Sequence, residues 1–267
     1  MTARQRVGVA VAFAIGLAGV TLPGEPVQAE TLTVGAAPSL RAALAEIVPM
    51  FEREHGTTVR VFYAPSQVQR RQIEKGDPID VFLPAAAEEV EKLHKKGLTL
   101  TGNPRVYAQT SLVLVMSTFS RVMPASFHES IPNPGVRIAL GDPKLSSLGD
   151  ITARALAKLD PGYKARFNFL YAPHGEDIVS LIHSGKADVG IVYRVDAINN
   201  AEVRIIDEAP AGRHTPVRFG GAVVSTCREA VLPDAQAFVE FITSFRIQKL
   251  LLKYGFEPVH STGDPRS

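Results

Sequence analysis

The chain has 267 residues, 45% of them hydrophobic and 21% charged, which excludes a disordered, collagen-like or coiled-coil protein and leaves enough apolar mass for a sizeable core. Lys and Arg number 29 against 27 Asp and Glu, a formal net charge of +2, so nothing argues for nucleic acid or an anionic membrane surface as partner. Length alone admits one large domain or two lobes, and the pattern of elements has to decide.

In chain order, Arg4 and Arg6 form a positive start, residues 7–22 are apolar, and Val27-Gln28-Ala29 is a small-residue cleavage site. This reads as a signal peptide over 1–29, which makes the expected location periplasmic. Cys227 is the only cysteine, so no internal disulfide is expected there. It falls in the apolar run Gly221-Ala222-Val223-Val224-Ser225-Thr226-Cys227 and reads as a buried strand residue.

From Glu30 onward, short β-like runs alternate with amphipathic stretches, the sequence form of a parallel sheet covered by helices. Residues 32–35 read as a strand, and Leu40, Ala43, Leu44, Ile47, Val48 and Phe51 recur at helical spacing. The unit repeats with a strand at 59–63 and a helix at 66–75, then a strand at 79–83 and a helix at 86–96. On that last helix Glu88 with Lys92 and Glu91 with Lys95 are i,i+4 pairs and predict a solvated face. The apolar run 111–116 suits a strand crossing to a second set of units: a strand at 136–140, a helix at 148–159, a strand at 167–171, a helix at 176–185 and a strand at 189–193. Residues 204–206 and 217–225 are strand-like, the latter a candidate return crossing, and helices follow at 235–241 and 247–254. The predicted fold class is α/β with two lobes, each a mixed, mostly parallel sheet covered by helices. The predicted extents are 30–112 with 222–267 for lobe one and 113–221 for lobe two, joined by a two-strand hinge.

Catalytic motifs fail first. The seven His are scattered without metal-ligand spacing, and the lone Cys lacks a CxxC partner. GxSxG, GxxxxGK[ST] and GxGxxG after a strand are all missing, so hydrolase-elbow and nucleotide readings lack their anchors. Asp77-Pro78-Ile79-Asp80 is an acid pair that a turn entering a strand explains as well. No cofactor and no cation site is expected.

What remains is a set of small polar residues where strands give way to helices. Ser39 ends Gly35-Ala36-Ala37-Pro38-Ser39 and Ser66 ends Ala64-Pro65-Ser66, both at expected N-cap positions. Each is either a helix cap only or part of an anion site, in which backbone N–H groups and the positive helix end are joined by a neutral hydroxyl donor. Matching loops follow in the second half, Gly141-Asp142-Pro143-Lys144-Leu145-Ser146-Ser147-Leu148-Gly149 and Ala172-Pro173-His174-Gly175-Glu176-Asp177. Tyr193 ends its strand as either a core tyrosine or a group facing the same crevice.

The run Gly35-Ala36-Ala37-Pro38-Ser39-Leu40 resembles the AASL opening of periplasmic molybdate-binding proteins of ABC transporters. The likeness continues through residues 72–82, Ile138-Ala139-Leu140-Gly141-Asp142-Pro143, residues 185–193 with Asp196-Ala197, and Lys253-Tyr254-Gly255-Phe256. It implies a two-lobed fold of the type II periplasmic binding protein kind that captures molybdate or a similar tetrahedral oxyanion between its lobes. It also implies delivery to a permease and its ATPase, and a monomer. By that resemblance Ser39, Ser66 and Tyr193 are side-chain ligands, and Leu148 and Gly175 donate backbone N–H groups. The departures fall at Ala64-Pro65-Ser66-Gln67, at Ser146-Ser147-Leu148-Gly149 where the family has V-P-A-G, at Ile151 in place of a common Tyr, and at Gly175 in place of a bulkier apolar residue. These changes in the pocket edge favour, as an alternative, the same scaffold binding tungstate, a sulfate-like anion or an organic anion. A third reading, from another class, is an exported serine hydrolase using Ser39 or Ser66 with His174 and Asp142.

Overall fold

A computed structural model describes residues 30–120, 126–159, 161–163, 169–198, 200–209 and 216–259. The signal peptide expected over 1–29 and the start of the strand expected at 167 lie outside these residues. The first half runs β1 (Leu32–Ala36), α1 (Arg41–His55), β2 (Val59–Tyr63), α2 (Ser66–Lys75), β3 (Val81–Leu83), α3 (Ala87–His94) and β4 (Arg105–Thr110). The apolar spacing of α1 buries Ala43, Leu44, Ile47 and Phe51 on one face, as a 3.6-residue period requires.

The second set is β5 (Leu112–Ser117), α4 (Phe127–Ser130), β6 (Ile138–Gly141), α5 (Ser147–Leu159), β7 (Leu170–Ala172), α6 (Gly175–His183), β8 (Val189–Tyr193), α7 (Arg194–Ala197) and β9 (Val203–Glu208). The chain then returns through β10 (Val217–Val223), α8 (Leu232–Thr243) and α9 (Phe245–Lys253). Two five-stranded sheets result, ordered β2-β1-β3-β10-β4 and β7-β6-β8-β5-β9. In each, three neighbouring strands run parallel and the strands next to them are antiparallel. All five residues of β8 are buried, as expected of a strand covered on both faces.

The chain crosses between sheets at Ser111 and again between Ala209 and Pro216, side by side. Val217 pairs with Thr110, and Ala209 N–H donates to Leu112 O at 2.9 Å. The strand at 217–223 pairs with β3 and β4 along its length, so it lies wholly in the first sheet and does not itself cross. The boundary expected between Gly221 and Ala222 therefore falls inside a strand. The C-terminal helices pack back on the first sheet, where Phe51 of α1 meets Phe238 and Phe241 of α8 edge-on at 4.9 and 5.5 Å. Such pairs contribute about 0.5–1.5 kcal/mol beyond area burial.

Two local expectations change. Strand β3 begins at Val81 and not at Ile79, because the fully buried Asp80 carboxylate accepts Thr33 N–H at 2.7 Å and Arg228 Nη2 at 2.7 Å. The acid pair is thus a structural tie between β1 and the end of β10. Cys227 lies beyond β10 and is half-buried, its thiol pushed up to about 11 by burial and by Asp80, so it stays protonated and a poor nucleophile.

Candidate functional site

The carboxyl ends of β1, β2, β6, β7 and β8 feed loops that converge on one cavity of about 20 Å³ between the sheets, the crevice position that open α/β sheets favour. Its walls include Ser39, Ser66, Leu148, Gly175 and Tyr193, with Ser146, Ser147 and His174 beside them. The five residues singled out from sequence are thus brought together. A cavity of this size is about as large as one water molecule.

On the first-sheet wall neither serine is a cap. Ser39 sits inside a 3₁₀ turn, Pro38–Leu40, whose N-cap is Ala37, and Ser66 is the first residue of α2 behind Pro65; neither helix start has a side-chain cap bond. Ser66 does something else. Its Oγ accepts the N–H of Ala85 at 3.1 Å across the sheet end. A hydroxyl has one proton and two lone pairs, so this bond engages a lone pair and leaves the proton free to donate.

The second-sheet wall divides its work between adjacent serines. Ser146 accepts Gly149 N–H at 3.1 Å and donates to Asp142 O at 3.3 Å; it is the N-cap of α5, three residues before its partner. Ser147, 3% exposed, keeps a hydroxyl with no partner among the described residues. The first-turn N–H groups of α5 and α6, those of Leu148 and Gly175 among them, have no acceptor within their own helices. Gly149 is required by close approach, since a Cβ there would fall 2.4 Å from the backbone carbon of Asp142. Tyr193 is 1% exposed, its hydroxyl also has no partner among the described residues, and burial drives its pKa far up, so it can act only as a neutral donor.

None of the lining residues is Lys or Arg. Cations stay at the rim and tie the walls together: Arg41 Nε to Glu176 Oε1 at 3.2 Å, and Arg154 Nη2 to Glu88 Oε2 at 2.7 Å. The second corrects the expectation that Glu88 belongs to a purely solvated helix face. Gln67 Nε2 adds bonds to Pro143 O and Ser146 O at 3.2 and 3.3 Å, and Arg71 reaches Lys144 O at 3.2 Å. The cleft is closed.

The hydrolase constellation is not assembled. Asp142 Oδ1 accepts the Lys144 N–H at 2.8 Å, His174 Nδ1 faces Asp177, and the Ser66 oxygen is engaged by Ala85. Among the described residues no group of three His, Cys, Asp or Glu could hold a metal ion, and no helix is long and apolar enough to cross a membrane. Sequence reasoning missed Ser147 as a site residue. The signal was the Ser-x-x-Gly spacing, which assigns the capping bond to Ser146 and leaves its neighbour free.

The family model for bacterial extracellular solute-binding proteins matches residues 32–257. A Bacillus subtilis protein carrying the provisional name ABC transporter substrate-binding lipoprotein YvgL is 30% identical over 85% of this chain and 86% of its own. The molybdate-binding protein ModA of Escherichia coli is 29% identical over 93% and 95%. Among solved structures, the periplasmic molybdate-binding protein of Azotobacter vinelandii superposes with a TM-score of 0.71 at 23% identity, covering 85% of this chain and 98% of that one.

Proposed function

Because the chain belongs to the bacterial extracellular solute-binding proteins, binding components of ABC transporters and not enzymes, we propose that it captures a tetrahedral oxyanion, molybdate first, for delivery to a permease and its ATPase. One observation carries the reading: unpartnered, buried hydroxyls of Ser147 and Tyr193 border a cavity of about 20 Å³. A buried polar group without a partner costs about 1–3 kcal/mol, so the site is built for an acceptor that enters it. Four oxygens of a tetrahedral dianion can be met by the hydroxyls of Ser39, Ser66 and Tyr193 and the N–H groups of Leu148 and Gly175 at helix starts. The donors are neutral, and helix N-termini hold an anion without sealing it in place by a full opposite charge.

In this reading each sheet with its helices is one lobe, hinged where the chain passes between the sheets at Ser111, and the cleft opens to release the ligand. The location is the periplasm, reached through a signal peptide ending at Ala29. The E. coli and A. vinelandii proteins named for molybdate favour that anion over tungstate or sulfate. The altered loop at Ser146-Ser147 is what keeps the alternatives in play, since it adds a hydroxyl.

A thermal-shift series with molybdate, tungstate and sulfate tests the proposal. At one hundred times its dissociation constant a true ligand adds about 2.7 kcal/mol, a rise of roughly 5–10 °C for a chain of this size. A flat response to all three, with an organic anion raising the melting temperature, overturns it.

A further inference from the structure

Asp196, on α7, stands one layer behind the cavity and is not used by the reading above. Its Oδ2 is shut from solvent and has no hydrogen-bond partner among the described residues. It lies where a side chain of residue 175 would be: a Cβ on Gly175 would fall 2.4 Å from Asp196 Oδ2 and 2.9 Å from its Cγ. The missing side chain at 175, a departure from the family pattern, is therefore what gives this carboxyl its place. From the opposite wall the Ser39 hydroxyl faces the same carboxyl closely enough to lower its pKa.

Ser39 has one proton, and two acceptors compete for it. While the cavity is empty the proton can serve Asp196. When an oxyanion enters, the proton must turn to the ligand, and Asp196 keeps only the Tyr193 backbone to favour its charged form, beside a second negative charge. We infer that oxyanion capture takes up one proton at Asp196, which then donates to Ser39 Oγ so that Ser39 can donate to the ligand. The proton comes from solvent, and its release on cleft opening restores the empty site. Asp196 is thus a positioning residue that acts through Ser39. This rests on the oxyanion reading above and deepens it by adding a pH dependence.

The surroundings agree. Burial, first, and the Glu176 carboxylate raise the Asp196 pKa to about 7 even with Ser39 and the Tyr193 backbone opposing. The charged groups nearby do not neutralise it. Glu176 on α6 is engaged by Arg41, Arg194 on Asp196's own helix is drawn to Glu208 at 3.1 Å, His174 faces Asp177, and the Tyr193 phenol stays protonated.

The test is calorimetric titration of the protein with molybdate, tungstate and sulfate, which carry no proton of their own at pH 6 or 8, in two buffers of different ionisation enthalpy. At pH 8 the wild type is expected to take up about one proton per anion, and its affinity to fall up to about tenfold per pH unit above 7. Asp196→Asn, whose amide donates to Ser39 at any pH, is expected to bind with no uptake and the same affinity at both pH values. Anion binding without proton uptake by the wild type at pH 8 overturns this inference alone, as does uptake that persists in Asp196→Asn. Absence of binding by all three anions at both pH values overturns the oxyanion reading and this one with it.

Discussion

The hydroxyls of Ser39 and Ser66 on the first-sheet wall stand on a 3₁₀ turn after β1 and on the first residue of α2, and that of Ser66 is held by the backbone through Ala85 N–H. On the second-sheet wall the donors are helix-start N–H groups, an orphan serine and an orphan tyrosine, set by two glycines that allow backbone or carboxylate to approach. The first wall resembles the family pattern at Ser39 and departs from it only in the loop Ala64-Pro65-Ser66-Gln67, whereas the second collects the changes at Ser146, Ser147, Ile151 and Gly175. Under the proposed function, the comparison places anion capture and anion choice on different walls. The first wall tolerates little change at Ser66, because that hydroxyl also ties the sheet end through Ala85 N–H. A wall of helix starts can gain or lose a hydroxyl without disturbing its N–H groups.

The sharpest way to break this comparison is Ser66→Ala set beside Ser39→Ala. Losing a hydrogen bond to a charged ligand costs about 1.5–3 kcal/mol, so each variant should weaken anion binding roughly 10- to 150-fold. Stability separates them. Ser66→Ala also strands the Ala85 N–H, at a cost of about 1–3 kcal/mol, while Ser39 makes no capping bond, so Ser39→Ala should lower the melting temperature less than Ser66→Ala does. Calorimetry for affinity and thermal melts for stability check both halves. Equal melting temperatures would remove the organising role of Ser66, and equal affinities to wild type would move the site elsewhere.

A smaller effect sharpens the second wall. Ser147→Ala should weaken binding by about 1.5 kcal/mol, near tenfold, and leave the fold as stable or slightly more so, since a buried unpartnered hydroxyl disappears. Its neighbour should behave in the opposite way. Ser146→Ala removes the α5 cap, worth typically about 1 kcal/mol to folding, with affinity changed less than in Ser147→Ala. If the two serines exchange these phenotypes, the capping assignment is wrong and Ser146 is the donor.

The sequence was most informative where a physical signal is local. Strands β2 and β8 match the expected 59–63 and 189–193 residue for residue, because each is an apolar or alternating run bounded by turn residues. The loop residues Ser39, Ser66, Leu148, Gly175 and Tyr193 meet in one cavity, as strand ends in such a sheet must. What was not legible depends on distant partners. Nothing near Asp80 announces that Arg228 and Thr33 will claim its carboxylate. Nothing near Glu88 points to Arg154 on the other sheet, and the i,i+4 pattern suggested a local partner instead. Asp196 was read only as part of the family likeness and given no role for the same reason, since its meaning comes from Ser39 and from the absence of a side chain at Gly175.

The smallest expected effect concerns the ties that cross between the walls. Glu88 and Arg154 are 47% and 52% exposed at the side chain, so their 2.7 Å contact works in high dielectric, and exposed pairs of this kind contribute about 0.2–1 kcal/mol. The pair joins the two walls, so under the proposed function it is lost when the cleft opens. Breaking it should therefore act on the rate of ligand release more than on capture, because the closed state alone loses stabilisation. Glu88→Gln, Arg154→Gln and the double variant form a cycle in which the coupling energy, read from anion dissociation rates by stopped flow, should lie in that range and shrink at 1 M salt, where the screening length is only about 3 Å. Arg154 also approaches Asp150 at 3.4 Å on its own helix, so the single Arg variant should cost more than the coupling term itself. A coupling that appears equally in the association rate would mean that the pair steers the ligand and does not latch the walls.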